Sequence, residues 1–134
     1  MPLNPLDPNY RSFESNVLPA ANERGIAVLG MKSMGVSGEV ISKGAFTPSQ
    51  ALSYAMSLPV ATTISGMDCM EVLDQNLTIL RDFKTLSAER MQILRDHGKQ
   101  FNDGRYELYK STMKYDRDLG RSLHGYPSSA ELPV

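Results

Sequence analysis

Two short polar segments follow apolar runs in this sequence, and their residue types suit the binding of an anionic ligand. Residues 31–35 (Met-Lys-Ser-Met-Gly) end one apolar run, and residues 64–68 (Ile-Ser-Gly-Met-Asp) end another. The second segment leads into a predicted helix, whose first backbone N–H groups and positive dipole end favour a phosphate. An ordinary capped helix without a ligand has the same pattern. This segment alone therefore leaves both interpretations open.

The apolar runs themselves predict two strands of a parallel sheet. Residues 26–31 form a continuous apolar run typical of a strand buried on both faces, and residues 60–64 are rich in β-branched side chains. Strands that alternate with helices indicate a parallel α/β fold, in which ligands bind at the C-terminal ends of the strands. Two strands alone leave their edges exposed, so we expect part of a larger sheet and self-association through those edges.

Capping residues predict the helices that flank these strands. Thr47, with Gln50 three residues later, predicts a helix that ends near Pro59. Asp68 and Glu71 predict a second capping box, at the start of a helix that follows the second strand. The apolar stripe of that second helix is predicted to consist of Met70, Leu73, Leu77 and Leu80.

The remaining elements are a short leading helix, a long loop and a late helix. Residues 12–24 predict a turn and a short helix, interrupted by Pro19 and ended by Gly25. Residues 32–46 are rich in glycine and polar side chains, and predict a surface loop. Ser87 is expected to cap a helix that continues to about residue 101, with Met91 and Leu94 facing inward.

Composition excludes several classes of protein. The 134 residues carry a net charge of -1, which gives no field to attract nucleic acid or an anionic membrane. The start lacks the features of a signal peptide, and no apolar run is long enough to span a bilayer, so we expect a cytoplasmic location. A single cysteine, Cys69, excludes an internal disulfide. His97 and His124 have no partners at metal-ligand spacing, so we expect no metal site.

Residues 102–134 are predicted to form a C-terminal tail beside a main domain of residues 1–101. The tail holds four of the six tyrosines, Tyr106, Tyr109, Tyr115 and Tyr126. Basic residues and tyrosines alternate there, as on surfaces that stack on nucleic acid, but acidic residues are equally numerous. We expect the tail to pack on the domain, with a disordered tail as the alternative.

Four segments, in this order, resemble the C-terminal half of the aldo-keto reductase family. Residues 25–35 are similar to the sixth strand of that (β/α)8 barrel and the loop after it, in the branch whose strand ends in Met-Lys. Residues 47–59 and 60–67 resemble the seventh helix and the seventh strand, and residues 70–77 the helix that contacts adenine. The opening residues 1–7 are similar to the end of the fifth strand. The resemblance extends over about residues 1–85.

The resemblance implies a partial barrel that binds NADP or NAD. It implies that the nicotinamide packs against Met31 and that the pyrophosphate lies near the next four residues, which are Lys32, Ser33, Met34 and Gly35. It further implies an adenosine-phosphate loop at Ser65, Gly66 and Met67, and adenine contacts from Gln75 and Asn76. A solvated lysine at position 32 and solvated helix residues at positions 75 and 76 remain the alternatives.

Family members reduce small carbonyl compounds with NAD(P)H, and their tyrosine, lysine, aspartate and histidine lie on earlier strands. None of those four residues maps onto this sequence, so the resemblance implies no catalytic residue here. Members that prefer NADPH hold its 2′-phosphate with a lysine and an arginine, where this chain has Gly66 and Val72. No Lys or Arg occurs from residue 59 to residue 80, which argues against tight 2′-phosphate binding. Backbone amides could compensate for the missing charges, so the sequence leaves the choice between NADH and NADPH open.

Three hypotheses follow. The first is the C-terminal portion of an aldo-keto reductase, an oxidoreductase whose activity we do not expect from this chain alone. The second is a non-catalytic half-barrel that serves as a nucleotide-binding or structural module and dimerises to cover its edges. The third is a small interaction domain of unrelated fold. The sequence does not identify the carbonyl substrate.

Overall fold

The computed structural model describes residues 1–36, 38–101, 106–110, 118–123 and 125–131, and shows a mixed α/β fold. Its sheet consists of β1 (Leu29–Gly30) and β2 (Thr62–Thr63). The helices are α1 (Phe13–Asn16), α2 (Leu18–Glu23), α3 (Glu39–Ser42), α4 (Pro48–Met56), α5 (Met70–Arg81), α6 (Ala88–Gly98) and α7 (Asp118–Leu123). Short 3-10 turns lie at Asp7–Asn9, Lys99–Phe101, Leu108–Lys110 and Ser129–Glu131.

The two strands are parallel, as predicted, and shorter than the apolar runs that contain them. Leu29 pairs with Thr62, and Gly30 pairs with Thr63. The N-terminal segment lies along the other side of β1, where the Leu3 amide donates to the Met31 carbonyl at 2.9 Å. Three parallel stretches of chain therefore lie side by side, with β1 in the middle.

The prediction that the first strand is buried on both faces is wrong. Val28 is only 4% exposed, whereas Leu29 is 48% exposed and Ile26 is also exposed. Successive side chains of a strand point to opposite faces, so one face of β1 packs on the core and the other is open. The run is apolar throughout although only one face of the sheet is covered, so the apolar run did not predict burial correctly.

Helices α4 and α6 supply much of the core, largely as predicted. The Thr47 hydroxyl accepts from the Gln50 amide at 3.2 Å while the Gln50 side chain accepts from the Thr47 amide at 2.9 Å, which completes the predicted capping box. Ser87 caps α6, and Met91 and Leu94 are buried as expected. The fully buried side chain of Tyr54 was not predicted.

Residues 32–46 differ from the predicted surface loop. They contain α3, and Val40, Ala45 and Phe46 are core residues. Gly35, with a φ of 86°, allows α3 to pack closely, because a Cβ atom there would lie 3.1 Å from the Val40 side chain. The glycines of this segment therefore lie in a folded connection as well as in exposed turns.

Helix α5 is packed less than predicted. Met70 and Leu80 are exposed, Leu73 and Leu77 are half-buried, and the one buried residue of the helix is Asn76. The predicted apolar stripe exists in the sequence, but its ends have no covering layer within the described residues. The N-terminus of this helix consequently remains accessible from the sheet edge.

Candidate functional site

A groove of about 530 Å³ lies at the C-terminal edge of the sheet. It separates the turn after β1 from the segment that joins β2 to α5. Its lining consists of Lys32, Ser33, Met34, Gly35, Val36, Gly38, Ile64, Ser65, Gly66, Met67, Asp68 and Val72. Because the strands are parallel and in register, both polar segments leave the sheet at the same edge, and the groove forms between them.

The groove brings together seven of the ten predicted cofactor residues and leaves three outside its lining. Those inside are Lys32, Ser33, Met34, Gly35, Ser65, Gly66 and Met67. Met31 is outside the lining, and its backbone pairs with the N-terminal segment. Gln75 and Asn76 are outside because they lie in the second turn of α5.

Asn76 reaches the groove indirectly, through Ser65. Its side-chain amide donates to the Ser65 hydroxyl at 3.1 Å, and the residue is only 7% exposed. Gln75 is exposed, and its side chain lies 3.4 Å from the Asn76 oxygen. Asn76 therefore fixes the segment before α5, and Gln75 points away from the core.

Two serine hydroxyls and one ammonium supply the polar groups of the lining. Ser33 is 2% exposed and is part of the lining. Lys32 has a left-handed backbone with a φ of 54°, so the chain leaves the extended conformation of β1 at this residue. Asp68 adds a negative charge at the opposite wall.

The start of α5 differs from the predicted capping box. The N-cap is Cys69, which makes no side-chain capping hydrogen bond. The Glu71 carboxylate accepts from its own amide and from the Cys69 thiol, and these hydrogen bonds lower the pKa of Glu71. A helix without a side-chain cap leaves first-turn N–H groups without intrahelical partners, and Val72 of this first turn is part of the groove lining.

A cluster of buried charged groups, which the sequence did not predict, lies behind Lys32. The Lys110 ammonium is 2.8 Å from the Asp7 carboxylate and 2.9 Å from the Glu107 carboxylate, and all three side chains are at most 3% exposed. Asp7 also accepts from the amides of Phe13 and Glu14, at the start of α1. Residues 7 and 110 are too distant in sequence for any local pattern to indicate this contact.

Asn4 and Tyr109 connect that cluster to the groove. The Asn4 side-chain amide donates to the Lys32 carbonyl at 3.4 Å, to the Glu107 carboxylate at 3.3 Å and to the Tyr109 oxygen at 3.3 Å. The Lys32 ammonium lies 5.6 Å from the centre of the Tyr109 ring. Lys32 thus contacts the groove on one side and the residues around the buried charges on the other.

A second polar cluster joins α1, α4 and α6. The Tyr54 hydroxyl donates to Glu14 at 2.6 Å and accepts from Arg95 at 2.9 Å, while Arg95 also pairs with Glu14 at 2.7 Å. Burial, together with the Glu14 charge, raises the pKa of Tyr54. These groups satisfy each other, so their role is structural.

The other candidate residues do not form a site. The His97 ring hydrogen-bonds to the Ala45 carbonyl and to Gln100, and packs against Phe46. His124 lies outside the described residues, as does Tyr115. Cys69 is exposed. Within the described residues, no group of three or more His, Cys, Asp or Glu side chains could hold a metal ion.

No helix in the described parts of the chain combines the length and the apolar character that crossing a membrane requires. Comparisons with known proteins found no matching family model, no matching curated protein and no matching solved structure.

Proposed function

We propose that this chain is a C-terminal portion of an aldo-keto reductase-like barrel and that its groove binds the phosphate and adenosine part of NAD or NADP. The observation that carries the proposal is the groove itself. Two segments about 30 residues apart, each assigned to the cofactor by resemblance alone, line one cavity. Its volume of about 530 Å³ lies within the ~300–1,000 Å³ typical of ligand pockets.

The fold supports the finer proposal of a partial barrel. β1 lies between β2 and the N-terminal segment, all three parallel, and the resemblance assigns these stretches to consecutive barrel strands. The outer face of this sheet is incompletely covered, as shown by the exposed side chains of Leu29 and Ile64. Further strands of a barrel would continue the sheet at its free edge.

Apart from the carboxylate of Asp68, the groups around the groove fit a diphosphate. Lys32 supplies a positive charge, the Ser33 hydroxyl supplies a donor, and the first turn of α5 supplies backbone N–H groups at its positive dipole end. The space beside Gly66 is open, because a Cβ atom there would meet nothing within 4 Å, and glycine leaves that space to a ligand. These residues bind and orient a ligand.

The distribution of charge favours NADH over NADPH. Asp68 lines the groove, and Glu71 and Asp74 follow on α5. An additional phosphate beside these carboxylates would be repelled, and residues 59–80 contain no Lys or Arg to compensate. We therefore expect NADPH to bind no more tightly than NADH.

A nicotinamide cofactor supplies the hydride for carbonyl reduction, but no residue of this chain maps onto the proton-donating group of the family. We therefore propose cofactor binding without reduction of carbonyl compounds by the chain alone. A nucleotide-binding module without catalysis uses the same groove, and the exposed side chains of Leu29 and Ile64 on the sheet favour this alternative together with dimerisation. A reductase assay with NADH and a small aldehyde tests for an active enzyme, which neither hypothesis expects. Size-exclusion chromatography shows whether the chain dimerises, as the second hypothesis expects.

The test is NADH binding measured by calorimetry on the 134-residue chain and on Gly66→Leu. A Cβ atom at position 66 would meet no protein atom within 4 Å, and Gly66 lines the groove, so a leucine there should occupy part of the groove. We expect saturable binding by the unchanged chain and at least ~10-fold weaker binding by the variant. Ala61→Leu, at an exposed residue outside the lining, is the matched control and should bind NADH normally. Equal affinity of Gly66→Leu and the unchanged chain, or a folded chain that binds no NADH, would contradict the proposal.

A further inference from the structure

The C-terminal strap, residues 106–110, is held firmly against the N-terminal segment. Lys110 at its end makes buried ion pairs with Asp7 and Glu107, and also donates to the Tyr10 carbonyl at 2.7 Å. The Arg11 guanidinium donates to the Lys110 carbonyl at 2.8 Å. Moving the strap would leave buried charges without partners, which is strongly unfavourable. The strap is therefore a fixed part of the surface behind the groove.

The strap presents the ring of Tyr109 to Lys32. The Tyr109 hydroxyl donates to Glu107 at 2.9 Å and accepts from Asn4 at 3.3 Å, so the orientation of the ring is set at its far end. Burial and the Glu107 charge raise the pKa of Tyr109, which keeps the hydroxyl protonated. The Lys32 ammonium lies 5.6 Å from the ring centre, within the distance at which a cation is attracted to an aromatic face.

The backbone of Lys32 is fixed by the same group of residues. Its φ of 54° is uncommon for a residue with a side chain, and its carbonyl accepts from the Asn4 amide that also contacts Tyr109. Asn4 is fully buried, and its oxygen accepts from the amides of Leu6 and Asp7. Both ends of Lys32, the backbone and the ammonium, are consequently held by residues outside the groove.

We infer that Tyr109 is a positioning residue of the proposed nucleotide site and acts through the ammonium of Lys32. The inference rests on the proposed function. It adds to the nucleotide site a residue of the strap, a segment outside the sequence motifs that indicated the site. A lysine side chain that is free in solution loses rotamer freedom when it binds a phosphate. The Tyr109 ring restricts that freedom before the ligand arrives, so less of the binding energy is lost on ordering.

A double-mutant cycle tests this inference, with Lys32→Met, Tyr109→Leu and the double variant titrated by calorimetry with NADH and with inorganic pyrophosphate. We expect Lys32→Met to weaken NADH binding about ten-fold, because a charge-assisted contact is lost. Tyr109→Leu should weaken it about five-fold, since the cation–π contact is lost. In the Lys32→Met background, Tyr109→Leu should have no further effect, because the residue through which it acts is absent.

The variant Tyr109→Phe separates positioning from support of the fold. Phenylalanine keeps the aromatic face and loses the hydrogen bonds to Glu107 and Asn4, so it should lower the thermal midpoint and keep NADH affinity within about two-fold. A ligand-free readout is the proton shift of the Lys32 ε-methylene, which the Tyr109 ring should displace upfield and Tyr109→Leu should restore to its usual value.

The outcomes distinguish this inference from the proposed function. Additive effects of Lys32→Met and Tyr109→Leu, or an ordinary Lys32 ε-methylene shift in the unchanged chain, would overturn the positioning role while leaving NADH binding intact. A folded chain that binds neither NADH nor pyrophosphate would overturn the proposed function and the positioning role together. Non-additive effects, with affinity preserved in Tyr109→Phe, support the inference.

Discussion

The side of the molecule around the N-terminal segment and the side around β2 and α5 differ in how completely their side chains are covered. On the first side, Asp7, Lys110 and Tyr54 are buried, and each has charged or hydrogen-bonding partners. On the second side, Ile64, Met70 and Leu80 are exposed, and Asn76 is the one buried residue of α5.

This difference assigns separate physical roles to the two sides. Buried and mutually satisfied groups resist change, since each partner lost leaves another group without compensation. A surface with few packed contacts contributes little to stability and leaves room for a ligand. We therefore expect substitutions on the covered side to change stability, and substitutions around the groove to change binding.

The largest effect is expected from Lys110→Met on the covered side. Methionine preserves much of the side-chain volume but leaves the carboxylates of Asp7 and Glu107 buried without a cation, which should lower the free energy of unfolding by about 3–5 kcal/mol. Urea unfolding followed by circular dichroism measures this change.

Lys99→Met is the matched control for Lys110→Met. Lys99 also pairs with a carboxylate, Asp96 at 2.6 Å, but both side chains are largely exposed, so the free energy of unfolding should hardly change. Equal effects of the two substitutions would show that burial does not distinguish these ion pairs and would break the comparison.

A smaller effect is expected from Tyr54→Phe, which removes one hydroxyl from the Glu14–Arg95 pair. The loss of a hydrogen bond to a charged group should lower the free energy of unfolding by about 1–3 kcal/mol. Tyr126→Phe, at an exposed tyrosine, is the matched control and should leave it unchanged.

The pH dependence of the same variant provides a second readout. The pKa of Tyr54 is raised in the folded protein, so above about pH 10 the unfolded chain loses this proton while the folded chain keeps it. Stability is therefore present below pH 10 and decreases as pH rises beyond it, and the decrease should be shallower in Tyr54→Phe. Parallel curves for both proteins would contradict the buried position of this hydroxyl.

The smallest effect on stability is expected in the groove. Gly66→Leu should change the free energy of unfolding by no more than about 0.5 kcal/mol, because the added side chain enters open space and the backbone φ is not left-handed. The same substitution carries the predicted loss of NADH affinity. A variant that binds normally but unfolds easily would reverse the roles assigned to the two sides.

Local sequence patterns predicted the elements whose formation depends on neighbouring residues. The capping box of Thr47 and Gln50, the cap at Ser87 and the inward positions of Met91 and Leu94 are confirmed. The parallel pairing of two β-branched or apolar runs is confirmed as well. Each of these features is encoded within a few residues, or within the alternation of strand and helix.

Features that depend on distant residues could not be predicted in this way. The contact of Asp7 with Lys110 and the position of Tyr109 beside Lys32 join parts of the chain far apart in sequence. Burial of β1 was overestimated because an apolar run does not show whether a second layer covers it. For the candidate site, the sequence indicated which segments meet, but not that Asn76 would contact Ser65 instead of lining the groove.

The most direct test of the central claim, that the groove binds a dinucleotide, is an NMR titration with NADH of the chain labelled at its methionine methyl groups. Met34 and Met67 line the groove from opposite walls, and Met91 lies in the core. The proposal predicts saturable shifts of the Met34 and Met67 methyl signals with one common affinity, and an unchanged Met91 signal. Unchanged signals from Met34 and Met67 at saturating NADH would contradict it.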